Sequence, residues 1–148
     1  GECLYVRLSG AESAVAAAYR KLDGSPMEAG AVLWQSVREH ALKQFASTRP
    51  LWRLSVPATT PPLGLSGEQI IEWGGALRWL VSDLDAAAIR DAVERIGGSA
   101  MLFRRAPGQT GLLPVFHPLK PEIARLNAGL KAKFDPACIL NPGRTHSW

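Results

Sequence analysis

The sequence predicts an α+β fold: an antiparallel sheet with helices packed on one face, ferredoxin-like in a single or doubled form. Three observations predict it. Short segments alternate apolar and polar residues, as half-buried strands do. Longer segments place apolar residues at helical spacing. The pair Gly74-Gly75 stands between two apolar runs, where a tight hairpin needs positive φ. Strands joined by single helices and hairpins imply helices layered on a sheet.

The elements follow in order. Leu4, Val6 and Leu8 alternate with Tyr5 and Arg7, which reads as a strand over 4–9. The abrupt strand-like start reads as a piece of a longer protein. Glu12 to Leu22 is alanine-rich with Val15, Ala18, Tyr19 and Leu22 at helical spacing, and Asp23-Gly24-Ser25-Pro26 breaks it. A short strand is expected near Met27 to Ala29. Ala31 to Phe45 reads as a helix with Leu33, Trp34, Val37, Ala41, Leu42 and Phe45 on one face.

Leu51 to Val56 alternates, placing Trp52, Leu54 and Val56 on one side, and Pro57 to Gly64 is a stiff loop. Gln69–Trp73 and Ala76–Ser82 form the two arms of the Gly-Gly hairpin. Asp83 or Asp85 caps a helix over Ala86–Ile96, which Gly97-Gly98 ends. Ala100–Arg104 is a strand, Pro107 to Pro114 a loop, and Pro121–Phe134 a last helix, with proline in its first turn.

Composition bounds the function. The 148 residues are 47% apolar and 20% charged, so the chain is the size of one domain and ordinary globular in character. A chain this long buries roughly 70% of the surface its unfolded form exposes, and needs no covalent staple. No apolar run reaches the ~18 residues of a membrane span, and no signal peptide is visible. Cys3 and Cys138 form no metal motif or redox pair; free thiols are expected, though their spacing leaves a disulfide open. The net charge of +4 is scattered and suits an acidic partner or an anionic substrate. Without an RNP-like strand or GXXG loop, nucleic acid is not expected as a partner.

No catalytic constellation stands out, and the catalytic residues stay unassigned. There is no phosphate-binding glycine loop and no HExxH, and His40, His117 and His146 lack metal-ligand spacing. No metal is expected. Arg78 and Trp79 are neighbours on one strand and face opposite ways. Near Trp73 they read either as sheet packing, with Trp79 inside and Arg78 outside, or as a stacked cation–π site. His117 lies in a loop, where functional side chains concentrate. In the tail, Pro136 and Pro142 stiffen the chain, Gly143 permits a bend, and Cys138, Ile139 and Leu140 offer an apolar anchor. A preorganised Asn-Pro-Gly turn loses little entropy on docking.

Several stretches carry a resemblance. "FDPACILNPGR" at 134–144 is similar to the C-terminal signature of FAD-linked oxidases of the vanillyl-alcohol oxidase type. "LWRLSVP" at 51–57, "IEWGGALRWL" at 71–80 and "FHPLKPEIARLNAGLKAKFDP" at 116–136 narrow it. Together they resemble the C-terminal, cap-domain part of the GlcE family, the FAD-binding subunits of bacterial glycolate oxidase.

The resemblance implies an α+β cap over residues 1–134 on the substrate side of a flavin, and a tail, 135–148, returning to an N-terminal FAD domain. It implies FAD in the full-length protein but not on this segment alone. The tail residues Asn141 and Arg144 become candidates to reach the cofactor, and Arg78, Trp79 and His117 candidates to line the substrate side. The implied reaction oxidises glycolate, a small 2-hydroxy acid, to glyoxylate. Electrons then pass to an iron–sulfur subunit, beside a paralogous catalytic flavoprotein subunit. A cytoplasmic place, with peripheral attachment at the inner membrane through the complex, goes with it. The alternative is a non-catalytic α+β module that joins subunits.

Overall fold

The computed structural model describes residues 3–110 and 113–145. It divides into two compact units, Gly1–Lys43 and Gln44–Trp148. Among the described residues no helix is long and apolar enough to cross a membrane.

The first unit holds helices α1 (Glu12–Leu22) and α2 (Gly30–Arg38). Helix α1 has the predicted bounds and ends where Asp23 turns left-handed, at φ 50°. The strand predicted at 4–9 does not form, and Leu4 to Arg7 are exposed. Alternation specifies a strand only when a neighbouring strand completes its hydrogen bonds and side-chain pairs. The strand predicted near Met27 is instead a turn leading into α2, with Gly30 N–H donating to Met27 O at 3.2 Å.

Helix α2 stops seven residues before the predicted Phe45. Ala41 N–H reaches back to Ser36 O (2.8 Å) and His40 N–H to Val37 O (3.2 Å), with His40 at φ 53°. That is a Schellman ending with histidine where glycine is usual. The apolar spacing continues past it, but Phe45 belongs to a separate 3-10 turn, Lys43–Ala46.

The second unit carries one sheet: β1 (Leu51–Ser55), β2 (Glu68–Glu72), β3 (Leu77–Val81) and β4 (Ser99–Arg104). Its order is β2-β3-β1-β4, with every neighbouring pair antiparallel. This is the strand order of a split β-α-β, ferredoxin-like sheet, in single rather than doubled form among the described residues. Helix α3 (Ala86–Glu94) makes the crossover from β3 to β4, while the predicted loop, with no helix, joins β1 to β2.

Side chains pack on both faces of the sheet. On one, Trp52, Leu54, Val56, Leu80, Ala100 and Leu102 pack with Ala86, Ile89 and Val93 of α3. These α3 positions follow the i, i+3, i+7 spacing of one helix face. Asp85 caps the helix by accepting from Ala87 N–H at 2.9 Å. The helix closes on Gly97, with Gly98 N–H bonded to Val93 O at 2.9 Å. On the other face Trp79 meets Phe45 edge-on at 5.8 Å and Phe103 at 4.9 Å. A β4 bulge opposite Leu51/Trp52 turns Arg104 to the same side, where it donates to Phe45 O (2.6 Å) and Ser47 O (2.9 Å).

The hairpin differs from the two-residue form predicted. Glu72 pairs with Leu77, so the connection has four residues, and Trp73, Gly74 and Gly75 all take positive φ. Trp73 therefore sits in the turn, 78% exposed, not on the strand. Helix α4 (Pro121–Phe134) has the predicted bounds, with Pro121 in its first turn.

Candidate functional site

The residues nominated from the sequence fall in three places. Arg78 and Trp79 do face opposite sides of β3, but the packing expectation holds only for Trp79. Trp79 is in the aromatic cluster and its indole N–H donates to Glu72 Oε2 at 3.1 Å. Arg78 is 2% exposed, not on the surface. Its guanidinium donates to Gly75 O (3.3 Å), Pro61 O (2.9 Å) and Thr60 O. The fork of donors suits several carbonyls at once, so Arg78 ties the stiff loop after β1 to the hairpin turn. The stacked Arg78–Trp73 site does not form.

The arginine–aromatic contact lies elsewhere. Arg90 of α3 sits over the Trp52 ring at 5.6 Å. It also donates to Pro114 O and to Phe116 O (3.3 Å). Burial lowers its pKa, against the pull of Asp85. Sequence reasoning missed Arg90, yet a signal existed: it falls on the helix face that Ala86, Ile89 and Val93 make.

His117 is half-buried beside β4. Its Nδ1 accepts from Ala100 N–H at 3.3 Å. Burial, then Arg90, pull its pKa below the ordinary histidine value, while Glu94 pulls it up.

Asn141 and Arg144 lie in the exposed tail. Asn141 takes φ 47°, and Arg144 N–H donates to Asn141 O at 3.2 Å, closing a turn. The tail's shape is set one turn earlier, by a residue the sequence reading passed over. Asp135, 5% exposed, accepts from Ile139 N–H (3.0 Å), Leu140 N–H (2.9 Å) and the Lys131 ammonium. Lys131 also donates to Leu140 O at 2.6 Å. The Lys131 hydrogen bond, then those from Leu140 and Ile139, hold the Asp135 carboxyl below its usual pKa against the opposing effect of burial. The i, i+4 spacing of Lys131 and Asp135 was the available signal.

This framework supports an outward apolar surface. No residue of helix α4 is buried: Ala124, Asn127, Ala128 and Lys131 are half-buried, while Ile123, Leu126, Leu130 and Phe134 stand exposed, Phe134 at 82%. Spacings of three and four put these four on one helix stripe. Ile139 and Leu140 of the fixed tail are exposed too. Cys3 and Cys138 are free, exposed thiols.

A cavity of about 470 Å³ opens at the N-terminal end of α3, lined by Pro50, Trp52, Asp83, Asp85, Gln109 and Leu113 among others. None of the nominated residues lines it. Among the described residues no group of three potential metal ligands occurs. His146 lies outside the described residues.

No family model matches the chain, and no solved structure does. Among curated proteins the chain is 38% identical, over 144 residues, to the glycolate oxidase subunit GlcE of Escherichia coli (strain K12). The match takes in 97% of this chain and 39% of that relative. With identity at that level sustained along nearly all of its residues, the chain is similar to the glycolate oxidase subunit GlcE and spans about two fifths of that protein's length.

Proposed function

We propose that the chain is the substrate-side cap, residues 1–134, and the returning tail, residues 135–148, of a GlcE-like flavoprotein subunit. That subunit takes part in FAD-dependent oxidation of glycolate, or a related 2-hydroxy acid, to the 2-oxo acid, with electrons passing to an iron–sulfur subunit. The carrying observation is the exposed apolar stripe of α4, which stands beside a tail fixed by Asp135. An exposed apolar patch rimmed by polar residues marks a surface meant for a partner.

Among the described residues, Arg78, Arg90, Asn141 and Arg144 do not make a site for a flavin nucleotide. A pyrophosphate needs free backbone N–H groups or cations aimed at it. Arg78 and Arg90 instead direct donors to backbone carbonyls inside the fold. Asn141 and Arg144 are exposed and within reach of a neighbour, but they form no cradle. The redox chemistry belongs to a flavin-bearing neighbour; this chain covers and seats. A 1:1 role as a subunit-joining surface is the second reading, favoured by the same stripe.

The test is a titration of the isolated chain with FAD, followed by absorbance and fluorescence. The expected result is no stoichiometric binding and no glycolate-dependent flavin reduction. Tight one-to-one binding would overturn the proposal.

A further inference from the structure

The strand order leaves β4 at a sheet edge, and an open edge is a liability that proteins cover. Residues 113–117 cover this one. Leu102 N–H donates to Val115 O at 2.8 Å, and Ala100 N–H donates to His117 Nδ1 at 3.3 Å. Arg90 holds Pro114 O and Phe116 O from α3, and Arg105 holds Leu113 O at 2.7 Å. One edge N–H thus meets a carbonyl, whereas the other meets a titratable ring.

We propose that the His117–Ala100 hydrogen bond is a pH-sensitive latch that holds residues 113–117 on the outer edge of β4, so that acidification frees that edge. An imidazole nitrogen accepts only while it carries no proton, and the imidazolium is donor-only. A protonated His117 would set a donor against the Ala100 N–H. The charged groups acting on the ring come from α3: Arg90 disfavours the second proton, Glu94 favours it, and burial disfavours it most. Ala100, facing the ring from β4, carries no charge.

The sign follows from the lowered pKa. The covered edge binds the proton more weakly than the open one. Its advantage is complete above the open ring's value of about 6.5 and shrinks as pH falls from there toward the covered ring's lower pKa. The loss is at most about tenfold in the opening equilibrium per pH unit. The arginine clamps do not titrate in this window.

The test compares amide hydrogen-exchange protection at Ala100 and Leu102 between pH 7.5 and 5.5, in the wild-type chain and in His117→Gln. Glutamine can accept through its side-chain oxygen but does not titrate. The expected result is a several-fold loss of Ala100 protection on acidification in the wild type and a flat profile in the variant. A flat wild type, or a parallel fall in both, overturns the latch. A second measurement needs no variant: the His117 ring nitrogen shifts at pH 7.5. An unprotonated, hydrogen-bonded Nδ1 supports the proposal, and a protonated Nδ1 contradicts it.

Discussion

Arg78 commits a charged side chain to three backbone carbonyls, of Thr60, Pro61 and Gly75. Removing it takes a buried guanidinium away from part-buried acceptors, and losing several charged hydrogen bonds at once is costly. Arg78→Met is expected to lower the unfolding free energy by about 2–4 kcal/mol, read from urea denaturation. A change below about 0.5 kcal/mol, the range of ordinary surface substitutions, would contradict this role. Asp135 acts at the same scale. Its carboxyl pKa is held down, so its grip on the tail is complete above the unfolded value of about 3.9 and is lost as pH falls through the lower folded value. Asp135→Asn removes the charge at every pH. It should speed amide exchange at Ile139 and Leu140 at neutral pH while leaving the β1–β4 amides protected. The sequence showed Arg78 and Trp79 on opposite sides, because strand alternation is strict. It hid the burial of Arg78, because a surface arginine and one wrapped in loop carbonyls read alike.

At the scale of elements, the readable features were those whose signals are local. Helices α1 and α4, strands β1 and β4 and the Asp85 cap lie where periodicity, proline and cap chemistry put them. The misses had two sources, one distant in sequence and one local. The 4–9 segment has no partner strand among the described residues, and α2 is ended by a backbone motif at His40 that composition does not announce. The sheet and α3 approach closely at Gly98: a β-carbon there would lie 2.5 Å from Ser55 O and 2.8 Å from Val93 Cγ1. Gly98→Ala should therefore destabilise by about 1–3 kcal/mol, the usual cost of overpacking, measured by thermal unfolding. Helix α4 gives the opposite expectation. Leu126→Asn removes an exposed side chain, so the stability of the isolated chain should change by less than about 0.5 kcal/mol. A loss near 2 kcal/mol or more, the size expected of a core leucine, would mean that the stripe is already packed.

At the scale of the whole molecule, the chain matches only part of its relative's length, and its sequence resemblance was readable because it runs in order through both the sheet and the tail. The exposed stripe was not readable, because apolar residues at helical spacing read alike whether a helix face is packed or open. The proposed function turns on the exposed stripe of α4 and the tail as a preshaped seat for a flavin-bearing partner. The direct measurement is sedimentation or calorimetry of this chain with the separately produced flavin-binding part of a GlcE-type subunit, carried out also with the double variant Leu126→Asp, Phe134→Asp. A one-to-one complex with the wild-type chain, weakened at least tenfold by the double variant, is the predicted result. Equal association by both chains, or none by either, would contradict it.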